Sequence, residues 1–260
     1  GAAAGNNVTG DRNTFFGDLA GHSNTSGDDN TYIGASAGQA NIGTGDDNTY
    51  IGSHAGYQHD GGSSNTAVGR SALNNIRKGS NSVGVGHTAG QYATGSYNTF
   101  VGSEAGKGGT SSAPYSSGQY SVAVGYRAFE EFTTGGYTVA IGQEAGEKIT
   151  TADSNVAVGY RAGRNLTSGH SNIVIGFEAQ RDENVSSVVV IGTRAGVYNS
   201  GGDNVMIGDK AGYSSGTASD QVIIGHDAGY YARNNDVVII GESAGYYATG
   251  SNNVFVGKEA

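Results

Sequence analysis

Short apolar triplets recur along the whole chain at an almost constant interval, separated by stretches of Gly and small polar residues. Each triplet ends in Ile, Val or, once, Phe, and a Gly follows directly, as in Thr31–Ile33 before Gly34. Three residues after that Gly, every unit carries an Ala. The Ala positions are Ala4, Ala20, Ala37, Ala55, Ala72, Ala89, Ala105, Ala128, Ala145, Ala162, Ala179, Ala195, Ala211, Ala228, Ala244 and Ala260. A fixed period of about 17 residues is the signature of a stacked repeat protein, so we predict a single repeat array over residues 1–260.

The first and last residues of each triplet are mostly β-branched and lie two positions apart. This spacing predicts a short strand with both side chains on one face, because in a helix the two would diverge by about 200°. We interpret this face as the inside of the coil. The sequence therefore predicts an all-β protein, a parallel β-roll or β-solenoid of about 16 coils.

The middle residue of each triplet is also apolar, although it points to the opposite face of the strand. Strands that are apolar on both faces are normally buried on both faces, and a coil this small has only one interior. We therefore predict that the middle column lies at an interface between chains of an oligomer. The predicted interface residues are Phe15, Tyr32, Tyr50, Phe100, Val174, Val190, Met206, Ile223, Ile239 and Phe255.

Two polar columns accompany the triplets. Asn commonly precedes the strand, where its side chain can start the strand and link one coil to the next. Two residues after the Gly, the charge alternates over six units, in Glu104, Arg127, Glu144, Arg161, Glu178 and Arg194. Coils about 4.8 Å apart would place these charges next to opposite neighbours, each contact contributing ~0.2–1 kcal/mol. We interpret the alternation as a surface ladder that stabilises the register.

One unit is longer than the others, and the excess lies within 107–119. It includes Pro114 and Tyr115. Insertions in repeat proteins fall in loops, often on a binding face, and a tolerated neutral loop is the alternative. Near 107–120 the triplets also change from Thr and aromatic residues to Val and Ala, which could mark two subdomains.

Tyrosines at corresponding places in several units form a second candidate for surface binding, because exposed aromatic rows can stack on sugar rings. The alternative is a packing ladder that covers the corner of the coil. The candidate binding residues are Tyr57, Pro114, Tyr115, Tyr213, Tyr230 and Tyr246.

The amino-acid composition limits which partners, metals and catalytic sites the chain can have. The chain has 47 Gly, no Cys, and 14 Lys plus Arg against 23 Asp plus Glu, giving a net charge of −9. It therefore lacks thiolate metal ligands and the basic stripe that nucleic acid requires. It has no apolar run that could insert into a membrane. Acidic pairs such as Asp28–Asp29 could hold a structural Ca²⁺, but they lack a spaced calcium motif and solvated turns explain them. We expect no cofactor, no metal and no catalytic site, because no triad or converging carboxylate pair is present.

Three units carry a resemblance to known repeats. They are Asn30–Gly38 (NTYIGASAG), Asn98–Gly106 (NTFVGSEAG) and Ser121–Ala128 (SVAVGYRA). They resemble the NTAIGYQAG-type repeat of phage and bacterial tail-fibre proteins and the related SVAIG repeat in the heads of YadA-like trimeric autotransporter adhesins. The resemblance implies a left-handed, homotrimeric β-roll outside the cell, on a virion or a bacterial surface. The sequence starts on the Gly of one unit and stops on the Ala of another without atypical capping units, so we expect a segment of a longer protein.

The resemblance and the repeat lead to one functional expectation: a non-enzymatic fibre segment, a tail-fibre shaft or adhesin head, that attaches to a host or surface. Its partners would be copies of itself and a cell-surface glycan or protein receptor. A self-assembling extracellular filament would use the same coils. An ice-binding solenoid would need a flat exposed Thr column, which we place on the inner face, and a glycan-cleaving tailspike would need carboxylates that converge.

Overall fold

The computed structural model describes residues 3–6, 8–40, 44–109 and 115–260. The chain divides into two compact units, Gly1–Tyr137 and Thr138–Ala260. Each unit is a parallel β-solenoid with a repeat of about 17 residues, and together they contain about 14 turns. The described ranges contain no helix, and hence none that could cross a membrane.

The strands are three or four residues long, and they coincide with the triplets read from the sequence. The first unit contains β1 (Thr14–Phe16), β2 (Thr31–Ile33), β3 (Thr49–Ile51), β4 (Thr66–Val68), β5 (Val83–Val85), β6 (Thr99–Val101) and β7 (Val122–Val124). The second contains β8 (Val139–Ile141), β9 (Val156–Val158), β10 (Ile173–Ile175), β11 (Val189–Ile191), β12 (Val205–Ile207), β13 (Gln221–Ile224), β14 (Val237–Ile240) and β15 (Val254–Val256). Within each unit, consecutive strands pair in parallel and equivalent repeat positions face each other, as Tyr32 faces Tyr50.

The Gly after each strand lets neighbouring coils approach closely. Gly86 has φ +134°, and a Cβ built on it would lie 2.5 Å from the carbonyl oxygen of Gly102 in the next coil. A side chain here is excluded both by the backbone conformation and by the neighbouring backbone. The Ala three residues later is fully buried in both units, as at Ala105 and Ala162, and so occupies the narrow interior of the coil.

The predicted interface column lies inside the coil, so that assignment is wrong. Eight of its members, Tyr32, Tyr50, Phe100, Val174, Val190, Met206, Ile223 and Ile239, have no exposed surface in a single chain, and Phe15 and Phe255 are half-buried. The two outer residues of each strand point outward instead. Side chains alternate along a strand, so a three-residue strand points either its middle side chain or its two outer side chains into the coil. This coil is narrow enough to take only the middle one, which meets the Ala side of the turn.

The interior is filled by complementary volumes from the strand and the loop. Where the middle residue of the strand is small, as at Ala140 and Ala157, the loop supplies a large buried side chain, Ile149 or Leu166. A Cβ built on Gly146 would lie 2.8 Å from the Ile149 side chain and 3.6 Å from Ala140, which places the two partners side by side. Loop residues therefore form half of the core.

The predicted Asn column links successive coils. The Asn48 carboxamide oxygen accepts the backbone N–H of Asn65 at 3.0 Å, and its nitrogen donates to the carbonyl of Gly62 at 3.1 Å. Asn30 and Asn65 repeat this pattern, and in the second unit Asn172 donates to the carbonyl of Val185. These bonds satisfy buried backbone groups where the chain enters each strand.

Candidate interaction surfaces

Each unit presents an exposed sheet face with two apolar columns. The last residue of the strands forms one column, and it remains more than a third exposed at Ile33 (36%), Ile51 (38%) and Ile175 (37%). The first residue forms the other column: it is mostly Thr in the first unit and wholly Val or Ile in strands β8–β12. Since paired strands lie about 4.8 Å apart, neighbouring side chains of one column touch.

This face is unusual for a chain that acts alone. Monomeric soluble proteins rarely expose a continuous apolar patch of more than a few hundred Å². Here, within each unit, β-branched side chains repeat on successive strands of a parallel sheet without an intervening charge. The face is therefore the strongest candidate for contact with another molecule, and it replaces the middle column as the candidate interface.

The predicted charge ladder forms pairs between adjacent coils. Arg127 contacts Glu104 at 2.9 Å in the first unit, and in the second unit Arg161 contacts Glu144 at 2.7 Å. Arg194 contacts Glu178 at 3.0 Å. The hydrogen bond from Arg161 lowers the pKa of Glu144, so this carboxylate stays charged in mildly acidic solution. These contacts are parallel to the stacking direction and stabilise the register, as predicted.

The predicted Tyr213, Tyr230 and Tyr246 come together in the second unit. Tyr230 stacks on Tyr213 at 4.7 Å and on Tyr246 at 5.1 Å between ring centroids, and Tyr231 and Tyr247 contact the same group from the side. Burial, and then the neighbouring phenols, raise the pKa of Tyr230. The rings of this cluster largely cover one another's faces, which favours the alternative that the tyrosines pack together and do not bind a ligand.

The other predicted binding residues lie elsewhere. Tyr57 contacts His54, and Tyr115 stacks on Tyr92 and lies beneath the Arg77 guanidinium at 4.9 Å. Pro114 falls outside the described residues, so its predicted role at the insertion stays a prediction.

A second aromatic ladder was not among the predicted sites. Tyr97, Tyr120 and Tyr137 occupy the same repeat position in three successive coils of the first unit, and each side chain is about half exposed. The signal was present in the sequence, because each of these tyrosines stands five residues before the Gly that follows the strand. The position was missed because the other units carry Asp, Ser, Asn or Arg there.

The described residues show no grouping of side chains typical of a metal site. No group of three or more His, Asp or Glu side chains there has the arrangement of a metal site. His59 is fully buried and lies edge-on to the ring of Tyr50. Burial lowers the pKa of His59 to about 4, outweighing the opposing effects of the Gly62 backbone and Asp60. A neutral histidine enclosed in the core serves packing.

Comparison with known protein families, with characterised proteins and with solved structures finds no significant match for this chain.

Proposed function

We propose that this chain is a structural and adhesive fibre segment whose copies associate through the exposed Ile and Val columns. The observation that carries the proposal is the apolar face itself, repeated on successive strands of each unit. Association would remove these side chains from water at about 25 cal/mol per Å² of apolar surface. The arrangement we propose is a left-handed homotrimer outside the cell, on a virion tail fibre or a bacterial surface, which follows the resemblance of the repeats.

The internal organisation of the coils supports a mechanical role. Within each unit, the Asn column and the Glu–Arg pairs join successive coils, and the interior is closely filled. Such a solenoid is stiff along its stacking direction, and several identical chains in one fibre would present each binding surface more than once. Multivalency of this kind suits attachment to a host or surface, with a glycan or protein receptor as partner. We propose no catalytic activity and no cofactor.

Ice binding is a second candidate function, and the expectation that the Thr column lies on the inner face is wrong. The Thr column lies on the outer face of the first unit, half-exposed at Thr31, Thr49, Thr66 and Thr99, and not inside the coil. Val83 and Val122 interrupt that column, and strands β8–β12 carry only Val or Ile there. An assay of ice recrystallisation tests this second candidate directly. We favour self-association, because a mainly aliphatic face matches another aliphatic face.

A pair of adjacent substitutions tests the self-association. Ile175→Asp places a charge on the outer column, flanked by Val158 and Ile191, whereas Val174→Asp places the same charge in the coil interior. We expect the wild type to sediment as an oligomer, and Ile175→Asp to sediment as a folded monomer, because uncompensated buried charges at an interface cost several kcal/mol.

Val174→Asp is the matched control, and we expect it to lose its β-sheet circular dichroism. A wild type that is monomeric at micromolar concentration contradicts the proposal. So does an Ile175→Asp variant that keeps the wild-type oligomeric state.

A further inference from the structure

The tyrosine ladder of the first unit, defined as Tyr97, Tyr120 and Tyr137, is exposed and regular. The side chains are 51%, 48% and 62% exposed. Ring centroids lie 5.0 Å apart between Tyr97 and Tyr120 and 5.1 Å apart between Tyr120 and Tyr137, with planes inclined by 4° and 17°.

The backbone of the ladder is in a conformation that tyrosine disfavours. The φ angles of Tyr97, Tyr120 and Tyr137 are +60°, +55° and +51°, in the left-handed region where bulky residues are rare. Their backbone N–H groups donate to carbonyls of the preceding coil, Tyr97 to Ser80 and Tyr137 to Gln119, so the coil geometry imposes this conformation. Strain that persists at an exposed position is a reason to look for a function.

Residues better suited to this conformation occupy the same position in other coils. Asp, Asn and Ser predominate there, at Asp29, Asp47, Ser64, Asn81, Ser154, Ser171, Ser187, Asp203, Asp220, Asp236 and Asn252, all with positive φ. Asn and Asp tolerate left-handed φ and hydrogen-bond to nearby backbone. Folding therefore does not require three consecutive tyrosines, and the coil would form with smaller polar residues.

The ladder leaves parts of its ring faces open. Nearly parallel rings in van der Waals contact have planes about 3.5–4 Å apart, so a centroid distance of 5.0 Å means that successive rings are offset like stairs. Each step exposes part of one aromatic face and its edge. In the second-unit cluster, by contrast, side contacts from Tyr231 and Tyr247 cover the rings of Tyr230 and Tyr246.

Within the first unit, the residues that adjoin the ladder in sequence are uncharged. The residues directly before the tyrosines are Ser96, Gln119 and Gly136, and the next coil on the N-terminal side contributes Ser80 and Asn81. In the first coils the same two columns are charged, with Arg12 paired to Asp29 at 2.5 Å. An uncharged aromatic surface lined by hydroxyl and amide groups does not select phosphates or charged peptides.

We propose that the Tyr97–Tyr120–Tyr137 ladder binds a neutral linear polysaccharide, with successive pyranose rings lying on successive steps. The apolar faces of sugar rings stack on the open parts of the tyrosines, while Ser and Gln side chains and the phenol hydroxyls bind sugar hydroxyls. This inference rests on the proposed attachment function and names the chemistry of the receptor. A second copy of the chain is the competing occupant.

Affinity electrophoresis of the full chain in native gels tests the proposal. The gels contain hydroxyethylcellulose, xyloglucan, mannan or dextran as neutral probes, and polygalacturonate as an anionic one. We expect at least one neutral polysaccharide to retard the wild type. The triple variant Tyr97→Ser, Tyr120→Ser, Tyr137→Ser should bind at least about tenfold more weakly, because it loses three aromatic contacts.

Serine at these positions should preserve folding, since Ser64, Ser154 and Ser171 adopt the same φ in their own coils. The double variant Tyr160→Ser, Phe177→Ser is the matched control, because it also removes a stacked aromatic pair from the surface of successive coils, and it should bind like the wild type.

Three results would overturn the assignment: no neutral polysaccharide retards the wild type, the triple variant binds unchanged, or the control loses binding as well. Sedimentation of the same samples separates this outcome from a failure of the proposed function. An oligomer without polysaccharide binding rejects only the ladder assignment, whereas a monomeric wild type rejects the proposed assembly. A triple variant that changes its oligomeric state without any polysaccharide effect assigns the ladder to self-contact.

Discussion

Buried polar side chains are informative at the scale of single residues, because a buried polar atom without a hydrogen-bond partner costs stability. His59 is the clearest case. Both of its ring nitrogens are buried, and among the described residues neither makes a hydrogen bond of good geometry, the Gly62 backbone being only a weak partner. Tyr50 lies edge-on at 5.7 Å. In the next coil Ile76 occupies the equivalent position and is also fully buried. The site therefore accepts an aliphatic side chain of similar size.

We expect the free energy of unfolding to decrease as the pH falls below about 6.5. The pKa of His59 is about 4 in the folded chain and near 6.5 when unfolded, so the unfolded state binds the proton more readily between these values. The loss begins as the pH drops through 6.5, is complete below about 4, and amounts to about 3 kcal/mol. Urea unfolding at a series of pH values measures it.

His59→Ile removes this contribution and should flatten the pH dependence between 6.5 and 4 while raising stability in acid. His170→Gln, at an exposed histidine, is the control and should leave the pH profile unchanged. A His59→Ile variant that keeps the full wild-type pH dependence would show that other groups cause it.

At the scale of elements, the sequence predicts the positions of the strands and the order in which they stack. It does not predict which face of each strand points into the coil. The Gly that ends each strand and the β-branched residues before it predict β2 at Thr31–Ile33 as observed. Both faces of β2 are apolar, so polarity alone cannot tell which one is buried. The coil radius decides, and it is set by the Ala and Gly corner residues that meet the middle side chain.

A signal for the correct face was nevertheless present. In several coils a large middle residue is followed by a small buried loop residue and a small one by a large loop residue: Ile223 is followed by Ala232, whereas Ala140 is followed by Ile149. Such compensation is expected only of side chains that share one cavity of fixed volume. The prediction of uniformly polar loops overlooked this compensation.

The Asn column makes a testable contribution to the stacking of the coils. Asn48→Ala leaves the carbonyl of Gly62 and the N–H of Asn65 without their side-chain partners in a buried environment. We expect a loss of about 2–6 kcal/mol in the free energy of unfolding, since each of the two unsatisfied buried groups costs about 1–3 kcal/mol.

Asn48→Ser is the matched comparison, because Ser82 occupies the column naturally and its hydroxyl accepts the N–H of Asn98 at 3.2 Å. Serine keeps the acceptor function, but Ser82 donates to the equivalent carbonyl, that of Gly95, only at 3.5 Å, so the cost of serine should be about half that of alanine. Chemical denaturation of both variants measures the difference. An alanine variant within about 1 kcal/mol of the wild type would mean that the column is not required for stacking.

For the whole molecule, two kinds of contact could join copies: the rows of Glu and Arg, or the apolar sheet faces. The Glu and Arg side chains already form ion pairs within a chain, as Arg161 does with Glu144. They therefore have little charge left to pair with a second chain. The Ile and Val columns have no partner within their own unit on the outward side. Association driven by these columns should therefore tolerate salt, since 1 M salt reduces the Debye length to about 3 Å but leaves apolar burial intact.

Thermal unfolding over a range of protein concentrations distinguishes the two possibilities. If the folded state is an oligomer and the unfolded state is not, mass action raises the midpoint by about 3 °C for each tenfold increase in concentration. The wild type should show this dependence in both 0.1 M and 1 M sodium chloride, and Ile175→Asp should lose it at either salt concentration. A dependence that disappears in 1 M salt would assign the contact to the charge rows, because only exposed ion pairs are screened that strongly.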